Sequence, residues 1–375
     1  MCSPTSAPDR AMARSGGPAR CSPELLQFRK YRHLYNLCRR QPKVALFVEH
    51  GLKEAVRECQ HQMRFERWDC SHSTMTGRSR LANRLAMGGK NDDVDFHALH
   101  EPPILRYGYR ESAFLLALSS AGAAWSVAKG CAKGHLEQCA CDAGRQTAQQ
   151  RWKWAGCSYG VKFGLVSARR LFNRRKRSRS RKQQQRTSFL HQINKHNLKA
   201  GRMALKRTLR RSCKCNGVSG SCQMKTCWQA VSNLREMGGE LKERYHSAVS
   251  LVARSTALLN DPLTSNGGSS STTGAPRLAK SHELVFGERS PDYCRPMARL
   301  RHAGPSGRVC QVVLNATHSL ASAEQCSHLC CAMDVVIHEE EYEDKCDCRF
   351  VWCCEVKCRR CQRTRYVHYC DVRPH

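Results

Sequence analysis

Cys213, Cys215, Cys222 and Cys227 frame one short, polar, glycine-rich loop, and this loop constrains the chain more than any other segment. So polar and glycine-rich a stretch has too few apolar side chains to build a core, so covalent staples must hold it in one shape. Paired in nested fashion, 213 with 227 and 215 with 222, the cysteines would close a hairpin whose tip is Gly217-Val218-Ser219-Gly220. Gly217 and Gly220 are expected to supply the positive φ angles of such a tip, leaving the Ser219 hydroxyl at a rigid, exposed apex. A hydrolase nucleophile elbow would need Gly-x-Ser-x-Gly after an apolar strand, whereas Ser221 occupies the last glycine position here.

Twenty-five cysteines in 375 residues is several times ordinary usage. Such density belongs to oxidising compartments where disulfides persist, so a secreted protein is expected. The count is odd, and Cys2, isolated in a Ser/Pro/Gly/Arg stretch, is the cysteine expected to lack an intramolecular partner. Met1 to Arg20 contains no apolar run that could centre a signal peptide, so the N-terminus is expected to be incomplete or processed. Lys and Arg outnumber Asp and Glu by 63 to 31, a formal charge of +32. That surface calls for a polyanionic partner, and the cysteine content favours sulfated glycosaminoglycan over nucleic acid.

Residues 1–22 are expected to be disordered. Leu25, Phe28, Tyr31, Leu34, Tyr35 and Leu37, then Val44, Phe47, Val48, Leu52 and Val56, fall at helical spacing, with Pro42 separating two helices. The uncharged run from Ser112 to Ala128 is too short for a comfortable membrane span and is expected to be a buried core helix. Arg169 to Arg186 reads as a solvated basic loop, with a helix resuming near Phe189 on Leu190, Ile193, Leu198, Leu205 and Leu209. Leu241, Tyr245, Ala248, Val249 and Val252 predict one more helix. Residues 259–282 form a Ser/Gly/Thr-rich linker. Beyond it, in 283–375, twelve cysteines fall between Cys294 and Cys370, with strand-like segments at Val309–Leu314, Arg349–Trp352 and Arg365–Tyr369. The fold class is therefore α+β: a helical N-terminal domain over 23–258 carrying the 213–227 hairpin, and a small cystine-rich β domain at the C-terminus.

Zinc is the rival use of the cysteines, but only Cys358-x-x-Cys361 has knuckle spacing and no second such pair follows it, so no metal is expected. The 17 histidines show no paired ligand spacing, and no catalytic constellation emerges. Arg174, Arg175, Lys176, Arg177, Arg179, Arg181 and Lys182 make a basic run that reads as a solvated loop, a heparan sulfate contact, a nuclear-import arm or a dibasic cleavage site. Asn315-Ala316-Thr317 is an acceptable glycosylation sequon.

The ordered set of motifs resembles the Wnt family of secreted, lipid-modified signalling proteins. The resemblance runs from Cys21 to Cys370. It rests on the hairpin with Lys225-Thr226-Cys227-Trp228, on Glu58-Cys59-Gln60-His61-Gln62 with Arg67-Trp68-Asp69-Cys70, and on Arg110-Glu111-Ser112-Ala113-Phe114. It continues through Cys139-Ala140-Cys141-Asp142, Trp154-Ala155-Gly156-Cys157-Ser158, Ser290-Pro291-Asp292-Tyr293-Cys294 and the terminal cysteine array. By position it implies the disulfides Cys21–Cys38, Cys59–Cys70, Cys131–Cys139, Cys141–Cys157, Cys213–Cys227 and Cys215–Cys222. In the C-terminal domain it implies Cys294–Cys331, Cys310–Cys326, Cys330–Cys370, Cys346–Cys361, Cys348–Cys358 and the vicinal Cys353–Cys354. The sequence departs from the family at Asn216, where histidine is usual, and at Asp69, where asparagine is usual. It departs again at Ala332-Met333-Asp334, which replaces a Gly-Arg-Gly turn.

What the resemblance implies about function is specific. Ser219 would carry a monounsaturated acyl ester, and the chain would need no cofactor and catalyse nothing. Porcupine would transfer the acyl group, the carrier Wntless would escort the product outward, and a groove on a Frizzled cysteine-rich domain would receive it. An LRP-type co-receptor and heparan sulfate proteoglycans are further implied partners, and nucleic acid is not one. Receptor contacts are assigned to Gly217, Val218, Ser219 and Gly220 at one hairpin tip. At the second hairpin, 346–361, they are assigned to Phe350, Val351, Trp352, Cys353, Cys354 and Val356. The alternatives are a basic nucleic-acid-binding protein and a glycosaminoglycan-binding matrix protein; the first would hardly shift between reducing and non-reducing electrophoresis, and the second would lack an ester-linked lipid.

Overall fold

The computed structural model describes residues 37–70, 102–139, 153–154, 160–172, 181–251, 279–313, 326–331, 333–351 and 355–371. By contacts the chain divides into two compact units, one comprising Arg20–Gln62 and Met87–Pro291, the other Met1–Ala19, Met63–Ala86 and Asp292–His375. The cysteine pattern, with helices before and strands after, corresponds to the mixed α+β class expected of it.

The first unit is organised around one helix. Helix α1 spans Pro42–Gln62, with Pro42 at its first position, where a missing N–H is harmless. Helix α2, Arg110–Ala132, is the expected core helix; 89% of its most apolar window is buried inside the protein. It is apolar on every side, so neighbours must cover it on every side. Two of its polar side chains find carbonyl acceptors: Ser112 Oγ donates to the Ile104 carbonyl at 2.7 Å, and Trp125 Nε1 donates to the Ser232 carbonyl at 2.9 Å. Helices α1 and α2 cross backbone to backbone, since a Cβ on Gly122 would lie 2.4 Å from the Gly51 carbonyl oxygen. Helices α3 (Val161–Phe172), α4 (Arg181–Arg207) and α5 (Leu234–His246) cover the rest of α2.

Three expectations are corrected here. The basic 169–186 segment is helical at both ends, because α3 continues to Phe172 and α4 begins at Arg181. Arg, Lys and Gln are strong helix formers without any apolar periodicity, so the run Arg181-Lys-Gln-Gln-Gln-Arg186 extends the helix that was expected from Phe189. Helix α5 lies earlier than its predicted place, starting after Asn233, whose Oδ1 accepts from the Glu236 N–H at 2.8 Å as an N-cap. Residue Val249 is strand instead. Strand β4 (Val249–Ser250) pairs in parallel with β5 (Val285–Phe286), so residues 283–291 belong to the first unit and not to the C-terminal domain. Buried Asn197 on α4 completes that joint, donating to the Val285 carbonyl and accepting from the Val285 N–H, both at 2.9 Å.

The second unit is a sheet of order β6-β8-β7, all antiparallel: β6 Val309–Val313, β7 Val335–Val351 and β8 Glu355–Cys370. The strands expected at Arg349–Trp352 and Arg365–Tyr369 are thus segments of one long ribbon. Its core is small and largely sulfur: Cys310, Cys326, Leu329, Cys330 and Cys370, with Met333 packed against them. Met333 N–H donates to the Cys330 carbonyl at 3.0 Å, closing the turn where the sequence departs from the family it resembles. A second departure, Asp69, accepts from Arg308 at 3.2 Å, with both side chains nearly buried, and Arg308 also donates to the Arg67 and Arg64 carbonyls. A carboxylate there does what an amide could not, neutralising a desolvated guanidinium.

Candidate functional site

Strand β2 (Arg210–Cys215) and strand β3 (Lys225–Ala230) pair antiparallel with Cys213 opposite Cys227 and Cys215 opposite Lys225. Disulfides Cys213–Cys227 and Cys215–Cys222 close the ribbon. Asn216 prolongs the ladder beyond the strands, its N–H donating to the Met224 carbonyl at 2.8 Å and its side-chain amide to Thr226 Oγ1 at 2.5 Å. Apart from half-buried Gly217, the tip stands in solvent, with Val218 88% exposed and Met224 69% exposed. Met224 was missed in the sequence, although an apolar residue inside a polar cystine loop is the signal that marks it.

The apex geometry differs from expectation at one glycine. Positive φ falls on Ser219 (φ 55°, ψ 25°) and Gly220 (φ 76°), while Gly217 is extended at φ −73°, ψ 170°. Gly217 is required for space: a Cβ there would lie 2.0 Å from Ser221 Oγ and 2.5 Å from the Ser221 carbonyl oxygen. The left-handed conformation costs a serine about 1 kcal/mol. Two cystines and the bonds Gly217 N–H to Ser221 O (2.9 Å) and Gly220 N–H to Gly217 O (3.0 Å) hold it there. Among the described residues none hydrogen-bonds the Ser219 hydroxyl.

The second hairpin is formed by β7 and β8 and stapled by Cys346–Cys361 and Cys348–Cys358. Near its end Phe350 faces Val356 and Val351 faces Glu355 across the ladder. Phe350 is 69% and Val356 61% exposed, far beyond what core residues show. Trp352, Cys353 and Cys354 lie outside the described residues. Lower on the ribbon Glu340 accepts from the Tyr369 hydroxyl and from Arg365, which together hold its carboxyl below the usual range.

Further bonds Cys131–Cys139, Cys294–Cys331, Cys310–Cys326 and Cys330–Cys370 match pairs that the resemblance implies. Cys38, Cys59 and Cys70 are also disulfide-bonded. The clusters Cys310/Cys326/His368 and Cys346/Asp347/Cys361 have metal-site spacing, but in each the two sulfurs are bonded to one another. Cys2, Cys21, Cys141, Cys157, Asn315, Arg174, Arg175, Lys176, Arg177 and Arg179 lie outside the described residues, while Arg181 and Lys182 begin α4.

Two cystine-stapled hairpins thus project exposed side chains, Val218 and Met224 on one and Phe350 and Val356 on the other. The family model described as the wnt family matches residues 28–371. Abnormal cell lineage protein 44 of Caenorhabditis elegans is 34% identical over 94% of this chain and 83% of its own length. Protein Wnt-16 of Mus musculus is 30% identical over 89% of this chain and 84% of its own. A chain of the solved complex of human WLS with WNT8A is similar in structure, with a TM-score of 0.53 and 30% identity, covering 88% of this chain and 93% of that one. The chain belongs to the Wnt family of secreted signalling ligands.

Proposed function

We propose that this chain is an acylated ligand that carries a monounsaturated fatty acyl ester on Ser219 and binds the cysteine-rich domain of a Frizzled-type receptor. The observation that carries the reading is the Ser219 apex: an exposed, unpartnered hydroxyl held left-handed between two cystines. A sixteen-carbon chain offers about 10 kcal/mol of gross transfer free energy but anchors only marginally to a membrane alone, so it serves better as a ligand for an apolar groove. The second contact is the tip comprising Phe350, Val351, Trp352, the vicinal Cys353–Cys354 and Val356, exposed where described. Porcupine is the acyl donor enzyme in this reading. Similarity to the WNT8A complex supports a Wntless carrier. Residues Arg174–Lys182 contact heparan sulfate, Asn315 carries a glycan, and an LRP-type co-receptor joins the assembly, so that the ligand acts at cell surfaces and in the matrix.

The test is the mass of the Ser219 peptide from secreted protein before and after mild base. A base-labile mass of one monounsaturated acyl group is expected. Ser219→Ala should lack it and fail to bind a Frizzled cysteine-rich domain while folding normally. An alanine variant that binds and signals like the parent would remove the proposal.

A further inference from the structure

Helices α3 and α4 are each pressed onto α2 by a glycine. A Cβ on Gly164 would lie 2.4 Å from the Ala124 carbonyl oxygen, and one on Gly201 would lie 1.9 Å from that of Ala117. With both helices seated on the same partner, the side chains between them line an open cleft formed by Arg169, Phe172, His191, Lys195, Leu198 and Arg202. The α4 contributors recur at i, i+4, i+7 and i+11, one face of a helix. Arg202 is fixed in place by donating to Ser120 Oγ at 3.1 Å. Arg169, Lys195 and Arg202 have no carboxylate partner among the described residues. Burial first, and then the neighbouring charge of Arg169, lowers the Arg202 guanidinium to about 10, as befits converging cations short of an anion.

Among the described residues, this cluster of like charges, held together by the packing of two helices, has no counter-charge. A single tetrahedral oxyanion would supply it, accepting hydrogen bonds from two guanidinium forks and an ammonium at once. Phe172 and Leu198 give the cleft an apolar wall, and a bare ion would leave that wall wet. We propose that this cleft binds a phosphate or sulfate monoester, its oxyanion held by Arg169, Lys195 and Arg202 and its carbon portion against Phe172 and Leu198. The lining uses no residue of the 174–182 run, every group being on α3 before it or on α4 beyond it.

Calorimetric titration of the secreted full-length chain with phenyl phosphate, phenyl sulfate and the two inorganic anions tests this. Saturable one-site binding is expected, with at least one phenyl ester tighter than its inorganic counterpart. Arg169→Gln and Lys195→Gln alter exposed side chains and so leave the fold intact, and each should weaken binding about tenfold by removing one charge-assisted bond. Arg359→Gln, 82% exposed on β8, should change nothing. A preference for the phosphate or the sulfate ester identifies which monoester the cleft serves. Absence of saturable binding, equal affinity for esters and bare ions, or an equal loss in Arg359→Gln would each overturn the proposal.

Discussion

Replacing Gly217 with alanine isolates the geometric requirement of the acyl hairpin without touching the serine or the cystines. The new methyl would sit 2.0 Å from Ser221 Oγ, which can rotate away, and 2.5 Å from the Ser221 carbonyl oxygen, which cannot. Ser221 adjoins Cys222, bonded to Cys215, so the strain falls on the apex itself. Opening the tip sacrifices the Gly217 N–H to Ser221 O bond and weakens that from Gly220 to Gly217. At about 0.5–1.5 kcal/mol for each exposed bond, the apex loses about 1–3 kcal/mol, a factor of about 5–150 in its population. Amide hydrogen exchange at residues 217 and 220 should accelerate by that factor, and the acylated fraction of Ser219 in a pulse experiment should drop with it. The thermal midpoint should hardly move, because the residues concerned are surface groups contributing nothing to a core. Unchanged exchange at both amides would refute the steric argument; changed exchange with full acylation would refute the claim that the transferring enzyme reads this apex.

Phe350→Asp and Val356→Asp should each weaken Frizzled-domain binding about tenfold or more, while secretion and the Ser219 ester stay normal, as checked by surface plasmon resonance beside the Ser219 peptide mass. Gly122→Ala would drive a methyl to 2.4 Å from the Gly51 carbonyl oxygen and 2.9 Å from Ala55 Cβ. It should cost about 1–3 kcal/mol by overpacking, seen as a lowered denaturation midpoint and reduced secretion. His196, whose Nε2 lies 3.0 Å from the Glu283 carbonyl oxygen, has its pKa lowered chiefly by burial. Its folded value lies below the unfolded one, so the unfolded chain takes up more protons in acid. Its contribution is complete above the unfolded value of about 6.5 and declines as pH falls below it. Thermal denaturation at pH 7.5 and 5.5 should show that loss, and His196→Gln should reduce it.

Much of the hairpin site was legible because its determinants are local. Nested cysteines dictate a ribbon whatever surrounds it, and Phe350 and Val356 lack any nearby core in the sequence as in the fold. The helix positions were legible where apolar spacing is strong, as in α1 and α2. They failed where propensity acts without periodicity, as at Arg181–Arg186, and where a cap sets the start, as at Asn233. The domain edge lies at Pro291/Asp292 rather than after the low-complexity 259–282 segment, because composition does not mark the limit of packing. Residues Val285–Phe286 return to β4 and Asn197 through contacts that no local pattern announces.

The family and the cysteine staples of the described hairpins were legible in the sequence itself, since cysteine spacing and short motifs are readable without knowing what packs on what. The tertiary structure alone decided that Ser219 rather than Gly217 takes the left-handed angle, that Asp69 answers Arg308, and that Arg169, Lys195 and Arg202 share one cleft. Each of these depends on distances between residues far apart in the chain or on the closure of a ring. Such distances arise only when helices seat against a common partner and bonds close, and composition and spacing do not encode them.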